Sequence, residues 1–215
     1  MIKYLPKTTQ SVLSPSTSYV RENPITPILV FIMGIVLLCE LYVLNYSESL
    51  FQYLFVAQGA LTPGLLLAPF SHANFLTHYA INMVIFLWLG WPVEARLNFK
   101  QFLSFIGITA YLPTYLQVVY SVTTNGTAAS LGFSGSVYAL PPLLFCLILY
   151  EDHSVEIGFG DLGNIALIWT VAIPFVILGF SDFFSVLPSA KITHAGGYIS
   201  GIGYGIHKIK TNSKQ

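Results

Sequence analysis

Charge is what this sequence has least of. Nine Lys and Arg residues face nine Asp and Glu, and together they make 8 % of 215 residues. A soluble domain carries about 25 %, so the chain has about a third of the polar coat that a water-exposed surface uses. Hydrophobic residues make up 54 %, and the mean hydropathy is positive. The formal net charge is +0, which excludes a basic field for nucleic acid. Cysteine is nearly absent. Cys39 and Cys146 both lie in apolar runs and read as small buried hydrophobes, not as a disulfide or metal framework. CxxC, HExxH and Walker-type patterns do not occur, so no cofactor and no metal is expected. Internal repeats are missing too, and no cleavable signal peptide is evident. Residues 1–25 are polar and broken by Pro6, Pro15 and Pro24, and the apolar run that follows has no small-residue cleavage site.

What is present is a series of apolar runs. A span needs roughly 20 apolar residues, and six segments qualify: 27–46, 78–95, 102–122, 133–150, 163–182 and 194–208. The fold class expected is an all-α polytopic membrane protein with six transmembrane helices. Residues 1–26 form a cytoplasmic tail, 27–208 the membrane domain, and 209–215 a second cytoplasmic tail. Orientation follows from the basic residues. Lys3, Lys7, Arg21, Arg96, Lys100, Lys208, Lys210 and Lys214 all fall on the cytoplasmic side if both ends are inside, and only Lys191 does not. The connection 48–77 is too apolar for a loop in water, with Leu50-Phe51 and Leu65-Leu66-Leu67. It is expected to be structured and to lie partly in the outer leaflet, since irregular backbone at that depth must be covered by protein.

Spans two, four and six run from outside to inside, so their first residues share one depth. Those starts carry His78 and Asn82, then Ser134 within Gly132-Phe133-Ser134-Gly135, then His194. Each has a bland reading when taken singly. An intramembrane His is often a hydrogen-bonded packing residue, a Ser at a helix start is usually an N-cap, and glycines serve close helix packing. Their coincidence at one level favours a site, because polar groups inside a membrane are expensive. The chemistry fits as well. A serine attacks when a histidine takes its proton, and an oxyanion needs donors. His78 and Asn82 are four apart and share a helix face.

Gly197, Gly201 and Gly205 repeat every four residues, a stripe that lets a neighbouring helix come close. If that neighbour is span four, His194 reaches Ser134, and Tyr138, one turn on, packs on the imidazole. Asp182 is the only candidate for a third acid and reads better as a loop or cap residue, which leaves a Ser–His dyad.

These residues resemble the rhomboid family of intramembrane serine proteases. The resemblance is carried by GxSG at Gly132–Gly135, by His78 and Asn82 preceded by His72, by the stretch from His194 through Gly197 to Gly201, and by Glu94-Ala95-Arg96 after span two. It covers about residues 27–208 and implies a rhomboid-like bundle of six helices, with the nucleophile at the top of a recessed fourth helix under an outward-facing water cavity. Carried over, Ser134 is the nucleophile, His194 the general base, His78 and Asn82 the oxyanion stabilisers, and His72 structural or water-organising. The partners implied are transmembrane protein substrates and the lipid bilayer. The minimal six-span form favours a prokaryotic plasma membrane. Two departures stand out. Asn98 occupies a position where glycine often follows the Glu–Arg turn, and is expected to take its left-handed conformation. Pro141-Pro142 falls inside span four and is expected to kink it.

Two other classes of function compete. A non-catalytic relative would escort membrane segments, but would usually have lost the Ser or the His. A transporter would show polar residues through the whole membrane depth, whereas here they gather at the outer ends of the spans.

Overall fold

The computed structural model describes residues 23–59, 61–72, 75–124, 129–151 and 191–212. Within these the chain is all-α. Helix α1 is Ile25–Tyr46 and α2 is Glu48–Phe55; a short α3, Gly64–Leu67, continues into a 3-10 turn at Ala68–Phe70. A π-helical stretch, Phe75–Ala80, runs directly into α4, Ile81–Arg96. Three long helices follow: α5, Phe99–Thr123; α6, Ser134–Glu151; and α7, Lys191–Asn212. One isolated antiparallel bridge joins Ala57 to Ser130.

Five of the six expected spans correspond to helices, with ends shifted by a few residues. The last is longer than the apolar run suggested, because α7 begins at Lys191 and continues to Asn212. The fifth span, 163–182, and Asp182 lie outside the described residues, as do Lys3, Lys7 and Arg21. Among the described residues, α1 and α5 are the helices long and apolar enough to cross a membrane, and the apolar part of α6, Ser134–Ile148, is shorter.

Helix α1 shows why the bundle closes where it does. A helix start leaves backbone N–H groups without partners. Here the Glu94 carboxylate, at the far end of α4, accepts from the Ile25 N–H (2.8 Å), the Thr26 N–H (2.8 Å) and the Thr26 hydroxyl (2.7 Å). Glu94 is buried. Replacing it with alanine strands three donors, which is expected to cost about 2–3 kcal/mol. Thermal unfolding in detergent reads this as a clear drop in Tm; a Tm equal to wild type contradicts it.

At its other end α1 stops at Ser47. That residue is extended (φ −162°, ψ 117°), and its hydroxyl accepts from the Leu50 N–H to start α2. In the described parts of the connection 48–77, helices and turns are found, as expected of a structured loop. Phe51 and Phe55 turn inward to a small core of their own, while Tyr53, Leu61 and Leu66 remain exposed.

Two expectations about local structure need correcting, those for Asn98 and Cys39. Asn98 is not left-handed. It is extended at φ −76° and caps α5, accepting from the Gln101 N–H while the Gln101 side chain accepts from the Asn98 N–H. A side-chain cap meets the need that a glycine would otherwise meet by conformation. Helix α6 runs unbroken through Pro141 and Pro142. Cys39, read as buried, is exposed on α1, because the buried side of that helix is taken by Met33, Leu37 and Glu40.

Helix α6 is the centre of the bundle. Val137, Ala139, Leu140 and Leu143 have no exposed surface, which suits a helix apolar on every side. It packs against α4, α5 and α7. Its first turn is therefore held rigidly from three directions.

Candidate active site

The turn before α6 is built for close approach. Gly132 has φ +114°, a region closed to most side chains. Its N–H donates to Ala68 O (2.7 Å), which ties the turn to the 3-10 segment after α3. Ser130 and Ala57 exchange backbone hydrogen bonds of 2.9 and 3.0 Å just upstream. Phe133 is fully buried, edge-on to Phe86 (4.8 Å between centroids) and stacked on Phe70 (6.4 Å). Ser134 then opens α6, 6 % exposed, at a helix start whose backbone dipole favours negative charge.

The glycine stripe of α7 faces α6. A Cβ on Gly197 would run into the Gly135 carbonyl, one on Gly201 into the Ala139 carbonyl, and one on Gly205 would lie 2.5 Å from Cys146 Cβ. Backbone thus lies on backbone along the seam. One turn above Gly197, His194 Nε2 sits 3.0 Å from Ser134 Oγ. The imidazole stacks on Tyr138, with centroids 4.0 Å apart and planes 11° from parallel. Ring stacking and helix docking together fix the orientation of the imidazole toward the hydroxyl. Below the site, Thr109 donates to Ser136 Oγ (3.0 Å), which satisfies a polar pair buried between α5 and α6.

His78 reaches the same turn from the π-helical stretch. A Cβ on Gly132 would be 2.5 Å from His78 Nε2, so the glycine makes room for the imidazole. Such wide helical turns are frequent at functional sites. Asn82, one turn further into α4, is buried, and its amide nitrogen has no hydrogen-bond partner among the described residues. His72 is buried behind His78, edge-on to it at 5.1 Å. Its Nδ1 lies 3.2 Å from Phe70 O; a carbonyl only accepts, so Nδ1 carries the proton and Nε2 is left as an acceptor. Burial, aided by the charge of His78 and opposed by the Phe70 carbonyl, pushes His72 down to about 3. It is a neutral ring at neutral pH.

Of the candidate site residues within the described part of the chain, Ser134, His194, His78, His72, Tyr138 and the glycines sit at this turn or along the seam that holds it. His194 touches Ser134 and Tyr138, His78 touches Gly132 and His72, and the Gly132-Phe133-Ser134 backbone joins the two groups; Gly197 lies against Gly135, Gly201 is one turn below, and Asn82 is one helical turn from His78. The arrangement offers a hydroxyl, a base to take its proton, and nearby N–H donors for an oxyanion.

Sequence reasoning missed two acids. Glu94 entered only as part of a turn, although it caps α1. Glu40 was not noticed, although it is a buried acid within an apolar run and its Oε2 accepts from the His72 backbone N–H at 2.8 Å. An isolated acid inside a span was the available signal.

Among known protein families, the one described as Rhomboid domain matches residues 58–211, more than two thirds of the chain. No curated protein matches it.

Proposed function

The chain belongs to the rhomboid family, and from that premise we propose that it is an intramembrane serine endopeptidase working through Ser134 and His194. Family membership supports intramembrane serine-protease activity and a membrane-associated protein in general terms. The observation that carries the finer reading is the 3.0 Å contact of His194 Nε2 with Ser134 Oγ.

In the proposed reaction, His194 Nε2 accepts the Ser134 proton as Oγ bonds to the carbonyl carbon of the scissile peptide. The carbonyl oxygen becomes an oxyanion, held by the Ser134 backbone N–H and by the His78 and Asn82 side chains. His194 then gives the proton to the departing amine as the C–N bond breaks. Water, deprotonated by the same imidazole, hydrolyses the ester and restores Ser134. No cofactor or metal is invoked. The substrates are transmembrane segments of other proteins, cut near the outer face.

The topology that goes with this is a six-span, multi-pass arrangement with both ends inside, by the distribution of Lys and Arg. Residues 27–208 form the membrane domain, between cytoplasmic tails 1–26 and 209–215.

A fluorophosphonate probe tests the nucleophile without any knowledge of the substrate. We expect covalent labelling at Ser134 in the detergent-purified protein and little in His194→Ala. Labelling that persists after Ser134→Ala, or none in wild type, contradicts the assignment.

A further inference from the structure

Glu40 stands out once the dyad is set aside. It lies in α1, six residues from the outer end, or about 9 Å by helical rise. It is 1 % exposed. A carboxyl in such a place is costly, and its partner shows what it does there. That partner is neither a basic side chain nor a neighbouring helix. It is the loop at Ser71 and His72: the His72 backbone N–H donates to Glu40 Oε2 at 2.8 Å, and the Ser71 side chain lies beside the same carboxyl.

His72 ends the described part of the connection after α3, and the chain resumes at the π-helical stretch that carries His78. The His72 ring touches His78 at 5.1 Å and Tyr79 at 5.3 Å, edge-on in both cases. Tyr79 in turn donates its hydroxyl to Val30 O of α1 (3.2 Å). Helix α1 therefore grips this segment at two points, Val30 and Glu40, ten residues or about 15 Å apart. His78 sits against Gly132, two residues before Ser134, with no room for a Cβ between them. A displacement of His72 would be passed through its ring to His78 and so to the turn that presents the nucleophile.

We propose that Glu40 is a positioning residue for the reaction at Ser134: by accepting the His72 backbone N–H, it fixes the imidazole stack behind His78. The proposal rests on the reading of Ser134 and His194 as the dyad. What matters is a hydrogen-bond acceptor at the right reach. Glutamine supplies one without charge; aspartate keeps the charge but draws the acceptor back by one methylene.

The test uses the full chain, purified in detergent and reconstituted, as wild type, Glu40→Gln and Glu40→Asp. Three readouts are taken: amide hydrogen exchange at His72, Tm, and kcat and KM on a single-span reporter. Glu40→Asp is expected to speed exchange at His72 and to lower kcat about tenfold or more, with KM within about twofold, since a misplacement near 1 Å can cost up to about 10² in rate. Glu40→Gln is expected to keep both exchange and kcat within about threefold of wild type. A merely structural role would lower Tm and the active fraction together, without this split between the two variants. Equal kcat in Glu40→Asp and wild type overturns the proposal, as does Glu40→Gln being the more impaired. A wild-type chain that cuts no reporter overturns the dyad reading instead. Exchange at His72 then decides the anchor by itself, and exchange unchanged in Glu40→Asp overturns it.

Discussion

Alanine in place of Ser134 is expected to abolish turnover, a loss on the order of 10⁶ in kcat by analogy with other Ser–His catalysts. The hydroxyl is the only atom in the proposed site able to form the acyl bond, and a methyl group leaves nothing for His194 to activate. His194→Ala is expected to do nearly the same damage, because an unassisted hydroxyl at neutral pH is a poor nucleophile. The two losses should not add. Residues that act as one unit fail together, so the double variant should be no slower than either single one. Asn82→Ala removes one of the proposed oxyanion donors and is expected to cost less, about 10²–10³. Single-turnover kinetics on a membrane reporter distinguish these grades. Additive losses for Ser134 and His194 would mean that they work separately, against the 3.0 Å contact between them.

The second large effect is expected from the seam between α6 and α7. Gly201 faces the Ala139 carbonyl with no space for a Cβ, and Gly197 faces the Gly135 carbonyl in the same way. The obstacle is backbone on a buried helix, which cannot swing aside as a side chain can. Gly201→Val must push α7 outward, and His194 moves with it. A shift near 1 Å at the reacting atoms costs about 10² in rate, and a valine demands more than that, so activity should fall by at least this factor. Gly203 is the control. A Cβ there meets nothing within 4 Å, so Gly203→Ala should keep wild-type kcat and slightly raise helix stability. Comparable loss in both variants would mean that α7 tolerates no side chain at either glycine, and that the effect does not come from the seam.

The parts of this molecule that follow a period could be read before folding. Apolar runs near 20 residues mark the helices, and a four-residue glycine repeat marks the docking face of α7. The same logic gave the expectation that His78, Asn82, Ser134 and His194 start at one depth, and in the structure His194 meets Ser134 while His78 lies against Gly132. Contacts that depend on where distant helix ends meet could not be read so. Nothing near Glu94 in sequence says that Ile25 and Thr26 need an acceptor 69 and 68 residues away. The same holds for Glu40 and His72, which are joined through a main-chain N–H that leaves no trace in residue type. Asn98 was misjudged because two solutions, a left-handed turn and a side-chain cap, suit the same residue. The cap is the one adopted, because Gln101 completes it from three residues on. The double proline does not end α6, which carries Pro141 and Pro142, both buried, within a continuous helix.

The central claim is that Ser134, activated by His194, cuts a peptide bond inside the membrane. The most direct measurement is to reconstitute the purified chain with a single-span reporter and to map the cut by mass spectrometry, alongside Ser134→Ala. The account predicts one cut near the outer end of the reporter span, present with wild type and absent with Ser134→Ala. A reporter left intact by wild type, or cut equally by Ser134→Ala, would contradict it.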